Sequence, residues 1–148
     1  MKRLRFILTL IMSLACAMAS YAQKGLSVAQ YFSDTYRNDK SVTMVEVTGD
    51  NKKMPGIECY RSITVSGNEV LSESIEKTIK KDGAAAKSKE VIYKKGKLYF
   101  GMYFMGGSGK YRRYIYFLNQ KAVGKDKTML IFLEGDISEE KAKSLIKK

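Results

Sequence analysis

Two short turns in the second half of the chain constrain its fold more than any other feature of the sequence. Lys95-Gly96 separates strand-like residues 90–94 from 98–105, and a Gly-Gly-Ser-Gly turn at 106–109 separates the latter from Tyr111–Asn119. Segments joined by so few residues pair as antiparallel neighbours. The sequence therefore predicts a three-stranded meander.

Three more segments are typical of strands. Val42–Thr48 and Ile57–Val65 are rich in β-branched residues and are separated by turn-forming residues, including Gly49-Asp50-Asn51 and Pro55-Gly56. Residues 128–133 are apolar on both alternating faces, which indicates a central strand with both faces at least partly covered. We therefore expect a sheet of about five to six strands.

A long amphipathic helix is predicted between the second and third strands. Leu71, Ile75 and Ile79 recur at four-residue intervals, and Asn68 can cap the first turn. The helix is expected to run to about residue 81, with Gly83 as its stop. Such a helix needs a sheet on which to bury its apolar side.

Two shorter helices are predicted near the ends of the chain. Ser27 and Gln30 form a capping-box pattern for a helix that ends near Arg37, and a last helix is expected from about Ser138, capped by Asp136 or Ser138. Together these elements predict an α+β fold, in which an antiparallel sheet carries amphipathic helices packed on one face.

The first 22 residues have the layout of a secretory signal peptide. Lys2, Arg3 and Arg5 precede an apolar run at 6–19, and small residues stand at Ser20 and Ala22. We expect cleavage after Ala22 and therefore a single domain at 23–148. The apolar run is shorter than the ~20 residues of a membrane-spanning helix, so no transmembrane segment is predicted.

The signal peptide predicts a periplasmic or secreted protein. The alternative is a lipoprotein anchored through Cys16. A lipid-attachment motif requires an aliphatic residue three places before the cysteine, where this chain has Ser13, and the residues after Cys16 stay apolar. Export without a lipid anchor is therefore the preferred prediction.

The charge of the chain narrows the class of partner. Cleavage would remove three of the 27 basic residues and none of the 15 acidic ones, leaving a net charge of +9. Such a domain attracts acidic glycans, anionic lipids or acidic envelope proteins, whereas nucleic acid is not an expected partner outside the cytoplasm. The alternative is a lysine-rich surface that only confers solubility.

Two segments carry a resemblance to known families. They are Tyr-Arg-Arg-Tyr-Ile-Tyr-Phe-Leu-Asn at Tyr111–Asn119 and Leu-Ile-Phe-Leu-Glu-Gly-Asp-Ile at 130–137. With the order of predicted elements, they make the chain similar to small exported domains of unknown function in Bacteroidota. The resemblance implies lineage and an envelope destination, and it implies no activity or ligand.

The sequence offers no convincing catalytic, cofactor or metal site. It contains no histidine, which removes the usual general base and the commonest metal ligand. Ser74 and Lys77 have the spacing of a Ser-Lys pair but lie on the charged side of a predicted helix, so a hydrolase is the least favoured hypothesis. The Gly-Gly-Ser-Gly turn lacks the spacing of a phosphate-binding loop, and Cys59 is expected to be a buried apolar residue.

The concentration of tyrosines is the sharpest functional signal. Six of the ten tyrosines fall within residues 93–116, and alternation along the strand at 98–105 predicts that Tyr99 and Tyr103 face away from the helices. A tyrosine face with nearby arginines can stack on sugar rings and pair with acidic groups. The candidate binding residues are Tyr99, Tyr103, Tyr111, Arg112, Arg113, Tyr114 and Tyr116.

Three hypotheses follow. The first is a non-enzymatic binding or interaction module of the cell envelope that uses this Tyr/Arg face. The second is an assembly or scaffold protein that pairs with a partner chain through an exposed strand edge. The third is a hydrolase without histidine that uses lysine or carboxylate chemistry. The alternative to a binding face is that the tyrosines only stabilise a half-exposed sheet.

Overall fold

A single antiparallel sheet of six strands organises the described part of the protein. The computed structural model describes residues 25–49 and 52–146, so the predicted signal peptide, its cleavage after Ala22 and the lipid-anchor alternative at Cys16 lie outside the described residues. The sheet order is β1-β2-β6-β5-β4-β3. The strands are β1 (Val42–Thr48), β2 (Ile57–Val65), β3 (Ser88–Lys94), β4 (Lys97–Ser108), β5 (Tyr111–Asn119) and β6 (Thr128–Gly135).

This order confirms the predicted antiparallel sheet and the central position of β6. The main difference lies in β4, which continues through most of the predicted glycine turn to Ser108. An irregularity in pairing between Phe104 and Gly107 takes up the extra residues. The strand can therefore bend there without ending.

Helical segments connect and cover the sheet. They are a 3-10 helix at Ser27–Phe32, α1 (Asp34–Arg37), α2 (Glu69–Gly83), a second 3-10 helix at Gln120–Val123 and α3 (Glu139–Ile146). The predicted caps of the two longer helices are present. The Asn68 side chain accepts a hydrogen bond from the Leu71 amide at 3.0 Å, and the Ser138 hydroxyl accepts one from the Lys141 amide at 3.2 Å.

The predicted N-terminal capping box does not form. The segment from Ser27 is a 3-10 helix followed by a single α-helical turn, and its free amides find a distant partner. The carboxylate of Asp82, near the end of α2, accepts hydrogen bonds from the amides of Ser27 at 3.0 Å and Val28 at 2.8 Å. A tertiary contact therefore replaces the local cap.

The first face of the sheet carries the main hydrophobic core. We define it as the face covered by α2 and the first 3-10 helix. Ile75 and Ile79 of α2 and Val28 of the 3-10 helix are fully buried there. The sheet residues beneath them include Ile63, Leu98, Ile115, Phe117, Leu130 and Phe132.

The second face of the sheet is covered by α3, which corrects the expectation that all helices lie on one face. Ala142 of α3 is fully buried in a separate cluster with Ile131 and Leu133. These two residues alternate along β6 with Leu130 and Phe132 of the main core. A central strand that is apolar on both parities requires cover on both sides, and the last helix supplies it.

Candidate binding surface

The short helix α3 covers only part of the second face. The strand register arranges the side chains of this face in three parallel rows. The inner row, next to α3, is Val47, Tyr60, Leu133, Tyr114 and Phe104. The middle row is Val45, Ser62, Ile131, Tyr116, Met102 and Glu90, and the outer row is Thr43, Thr64, Met129, Leu118, Phe100 and Ile92.

The outer row is less buried than the inner and middle rows. Leu133 and Tyr114 of the inner row are buried, whereas Phe100, Leu118 and Met129 of the outer row are only half-buried. The second face therefore presents a half-open, mainly apolar surface beyond the helix. Uncovered apolar patches on a sheet are common sites of binding.

Three aromatic rings concentrate at one corner of this surface, which we call the aromatic patch: Tyr99, Phe100 and Tyr116. A register shift between Ile92 and Tyr93 of β3 leaves one extra residue on β4, at Tyr99. Phe100 packs edge-on against Tyr116 with ring centroids 5.4 Å apart. All three rings are half-buried, so each keeps accessible surface.

A cation lies at the border of the aromatic patch. The amine of Lys94 stands 3.9 Å from the centroid of the Tyr99 ring, within the range of a cation–π contact. Burial raises the pKa of Tyr116, and the proximity of Tyr99 raises it further. Tyr116 therefore keeps its hydroxyl proton at neutral pH and can act as a hydrogen-bond donor.

A small cavity lies where α3 meets the aromatic patch. Its volume is about 60 Å³, and it is lined by Phe100, Met102 and Tyr116 together with Ile146. At its border, Lys143 forms ion pairs with Glu90 at 3.1 Å and with Glu139 at 3.3 Å. A space of this size accepts a methyl-sized group or one to two waters rather than a whole ligand.

The predicted orientation of Tyr103 in β4 is wrong. Tyr103 is 3% exposed and lies in the main core of the first face, under the end of α2. Phe100, Met102 and Phe104 belong to the second face instead. The extra residue at Tyr99 inverts the alternation that follows Leu98, and glycines around Tyr103 provide room for its ring.

The structure does not bring the seven candidate residues together. Tyr114 is 1% exposed beneath the last segment of the chain, and its hydroxyl donates to the Ile137 carbonyl at 3.0 Å. Tyr111 and Arg112 are exposed near the β4–β5 turn, at the opposite end from the aromatic patch. Tyr99 and Tyr116 are neighbours, and Arg112 contacts Tyr114, but these two pairs are separate from each other.

Arg113 faces the other side of the sheet. It pairs across the ladder with Glu134 of β6. Burial raises the pKa of Glu134, and the nearby Arg113 opposes that rise. This arginine is therefore placed to compensate a half-buried carboxylate, and a ligand role for it stays a prediction.

Sequence reasoning missed part of the surface that the structure assembles. Ile92, Leu118 and Met129 come from three strands and meet in one row only because of the register. The alternation within β5 carried a usable signal, since Tyr116 and Leu118 share a parity with Tyr114. No comparable sequence pattern indicates the bulge at Tyr99.

Within residues 25–49 and 52–146, no group of three or more Cys, Asp or Glu side chains is arranged to hold a metal ion. In the same ranges, no helix combines the length and apolar character that crossing a bilayer would require.

The fold and its half-open face define a small α+β domain built on one antiparallel sheet. The chain belongs to a family of unknown function, DUF6108, whose model matches residues 15–146. Neither the curated proteins nor the solved structures gave a match.

Proposed function

We propose that this protein is a non-enzymatic binding module of the cell envelope, and that its aromatic patch binds an acidic glycan. The observation that carries the proposal is the group of half-buried rings at the uncovered corner of the second face, bordered by Lys94. Aromatic rings of this kind stack on the apolar faces of sugars. The adjacent amine can pair with a uronate carboxylate.

The location of the protein is part of the same proposal. The basic and apolar sequence at the start of the chain supports export to the periplasm or beyond, with cleavage near Ala22. The alternative remains a lipoprotein anchored through Cys16. Export and the net charge of +9 that the chain would carry after cleavage together favour acidic envelope partners.

Calorimetric titration with polygalacturonate oligomers tests the glycan proposal. The test variant is Tyr99→Ala with Tyr116→Ala, because these two rings supply the patch without belonging to the main core. Each ring is expected to contribute about 0.5–1.5 kcal/mol, so the double variant should bind at least about fivefold more weakly. Lys94→Gln should weaken binding less and reduce its dependence on salt.

Tyr111→Ala is the matched control, since Tyr111 is an exposed tyrosine at the opposite end of β5. It should bind polygalacturonate like the unaltered protein. Equal losses in the control and the double variant would place binding elsewhere. Absence of binding by the unaltered protein to polygalacturonate and to heparin would contradict the glycan proposal.

A second candidate function is assembly through the edge of β1. The other edge strand, β3, carries exposed Lys89 and Lys94, which discourage strand pairing, whereas the β1 sequence Val-Thr-Met-Val-Glu-Val-Thr has no lysine, arginine or proline. The Ser66 amide donates to the Ser41 carbonyl, and the Gly49 amide donates to the Glu58 carbonyl. These two bonds show which residues of β1 point their backbone groups toward β2. By alternation, the backbone groups of Met44 and Glu46 point away from β2.

Light scattering over a concentration series tests this second candidate. A discrete oligomer that becomes monomeric in Met44→Lys supports pairing through β1, because lysine at an edge disfavours an added strand. Val91→Lys on β3 serves as the matched edge control. A monomer at every concentration, without crosslinked partners in cell envelopes, would contradict it.

A further inference from the structure

We propose that the end of the sheet bearing the β3–β4 turn docks on an anionic phospholipid bilayer. We call this end the lysine end and define it by the turn at 94–97 and the β5–β6 connection at 120–127. The proposal goes beyond glycan binding and, apart from Lys94, depends on other side chains. It rests on lysines and exposed apolar residues that the fold gathers at one extremity.

The strand register places these two segments side by side. β5 ends and β6 begins at the pair Asn119 and Thr128, and β4 begins next to them after the turn that follows β3. The 3-10 helix at Gln120–Val123 also contacts β4. The turn and the connection therefore form one continuous surface at the same end of the sheet.

This surface is strongly basic. The β3–β4 turn supplies Lys94, Lys95 and Lys97, and the connection supplies Lys121, Lys125 and Lys127. The one acidic residue in these two segments is Asp126, which is already engaged by the Gly67 amide at 2.8 Å and by Lys121 at 3.8 Å. The polar side of the adjoining α2 is close to neutral, since Glu69, Glu73 and Glu76 stand near Lys77, Lys80 and Lys81.

Exposed apolar side chains are interspersed with the lysines. Val70 is 81% exposed at the start of α2, Tyr93 is 56% and Ile92 43% exposed beside the turn, and Val123 is 46% exposed in the connection. The hydrogen bond between the Gly67 amide and Asp126 holds the start of α2 next to the connection. Four of the six large apolar residues exposed within the described ranges therefore lie at this end.

The β3–β4 turn is preorganised for such a contact. Lys95 and Gly96 have φ angles of 52° and 75°, as in the tight turns whose twist matches that of paired strands. The backbone that carries the neighbouring lysines is thus fixed by the hairpin, so only their side chains need ordering on binding. This lowers the entropic cost of docking.

Charge complementarity and the mixture of residues favour a lipid surface as the partner. Basic residues next to a bilayer bind anionic headgroups, and tyrosine and aliphatic side chains settle at the interface. A second copy of this chain is disfavoured, since two lysine ends repel each other. A soluble polyanion would use the lysines but would leave Val70 and Val123 in water.

Vesicle sedimentation tests the proposal with the chain from Gln23 onward, which contains all described residues. The probe is vesicles of equal parts phosphatidylcholine and phosphatidylglycerol, compared with vesicles of phosphatidylcholine alone. The charge variant combines Lys95→Asn, Lys97→Gln and Lys125→Gln, in which asparagine keeps the left-handed turn conformation. Each lysine is expected to account for about fivefold in affinity, so the variant should lose about a hundredfold.

Two matched variants separate this surface from general charge and from the aromatic patch. The variant Lys52→Gln with Lys110→Gln and Lys141→Gln removes the same number of positive charges at positions outside the lysine end. Its affinity for the anionic vesicles should fall by less than about tenfold. Val70→Ser with Val123→Ser keeps the charge and should weaken vesicle binding while leaving polygalacturonate binding unchanged. Tyr99→Ala with Tyr116→Ala should affect glycan binding alone.

Three results would overturn the proposal: no binding of the unaltered protein to the anionic vesicles, equal losses in the two lysine variants, or vesicle binding that Val70→Ser with Val123→Ser leaves intact. If the last result is found and the charge variant also loses its affinity for polygalacturonate, the lysines bind a soluble polyanion instead. Failure on vesicles with retained polygalacturonate binding leaves the glycan function standing. Vesicle binding without any glycan binding would support docking on a bilayer and contradict the glycan proposal.

Discussion

The ring of Tyr103 lies against the α-carbon of Gly83, at the end of α2. A β-carbon at position 83 would overlap ring atoms of Tyr103, and a β-carbon at Gly101 would meet the same ring from another direction. The ring is therefore confined by two glycines in the main core. Close approach of the backbone is the physical reason that glycine occupies both positions.

Gly83→Ala should destabilise the protein despite the better helix propensity of alanine. The propensity gain is about 1 kcal/mol, whereas overpacking a confined core site costs about 1–3 kcal/mol or more. Because Gly101 and the sheet limit retreat of the ring, we expect the steric cost to exceed the gain. Chemical denaturation should show a lower unfolding free energy, and Lys81→Ala, on the exposed side of α2, should change it by less than about 0.5 kcal/mol.

Asp82→Ala should loosen the N-terminal 3-10 helix from α2. The carboxylate accepts two amide hydrogen bonds from Ser27 and Val28 in a largely buried position. Hydrogen bonds to a charged group contribute about 1.5–3 kcal/mol. Hydrogen exchange should accelerate at the Ser27 and Val28 amides before the sheet amides, and Asp82→Asn, which keeps one acceptor oxygen, should have a smaller effect. Unchanged protection at both amides would contradict the role of this contact.

The buried phenol of Tyr103 should make stability fall in alkaline solution. Burial, together with the nearby Tyr93 and Glu76, raises the pKa of Tyr103 from 10.0 to about 12. Between these values the folded state holds a proton that the unfolded state has lost, so the unfolding free energy decreases as pH rises from about 10 to about 12. Tyr103→Phe should show a smaller decrease over the same range than the unaltered protein. Equal slopes in denaturation series at several pH values would contradict the assignment.

The fold could be predicted largely from local signals. Three of these signals each act within a few residues, and the structure confirms them. They are the turn at Lys95-Gly96, the four-residue spacing of Leu71, Ile75 and Ile79, and the cap at Asn68. The placement of α3 required a global argument. Residues 128–133 require cover on both faces of β6, whereas the local patterns of the helices do not indicate which face each helix covers.

The candidate surface was harder to predict than the fold. Alternation assigns side chains to a face only while the strand stays regular, and the extra residue at Tyr99 inverts the assignment for the rest of the strand. Tyr103 also gains its buried position from Gly83, which is distant in sequence. The aromatic patch and the lysine end both depend on register between strands, which the sequence does not encode locally.

The single cysteine of the described residues should be unreactive in the folded protein. Cys59 is buried on the first face, and burial raises its thiol pKa above the ordinary value of 9.0, against a smaller lowering by Arg61. Because the thiolate is the reactive form, both access and ionisation are reduced. A disulfide-exchange reagent should label Cys59 of the chain from Gln23 onward at the rate of unfolding near neutral pH, and at once in denaturant. Labelling at the rate of a free thiol in native conditions would show that this part of β2 opens to solvent.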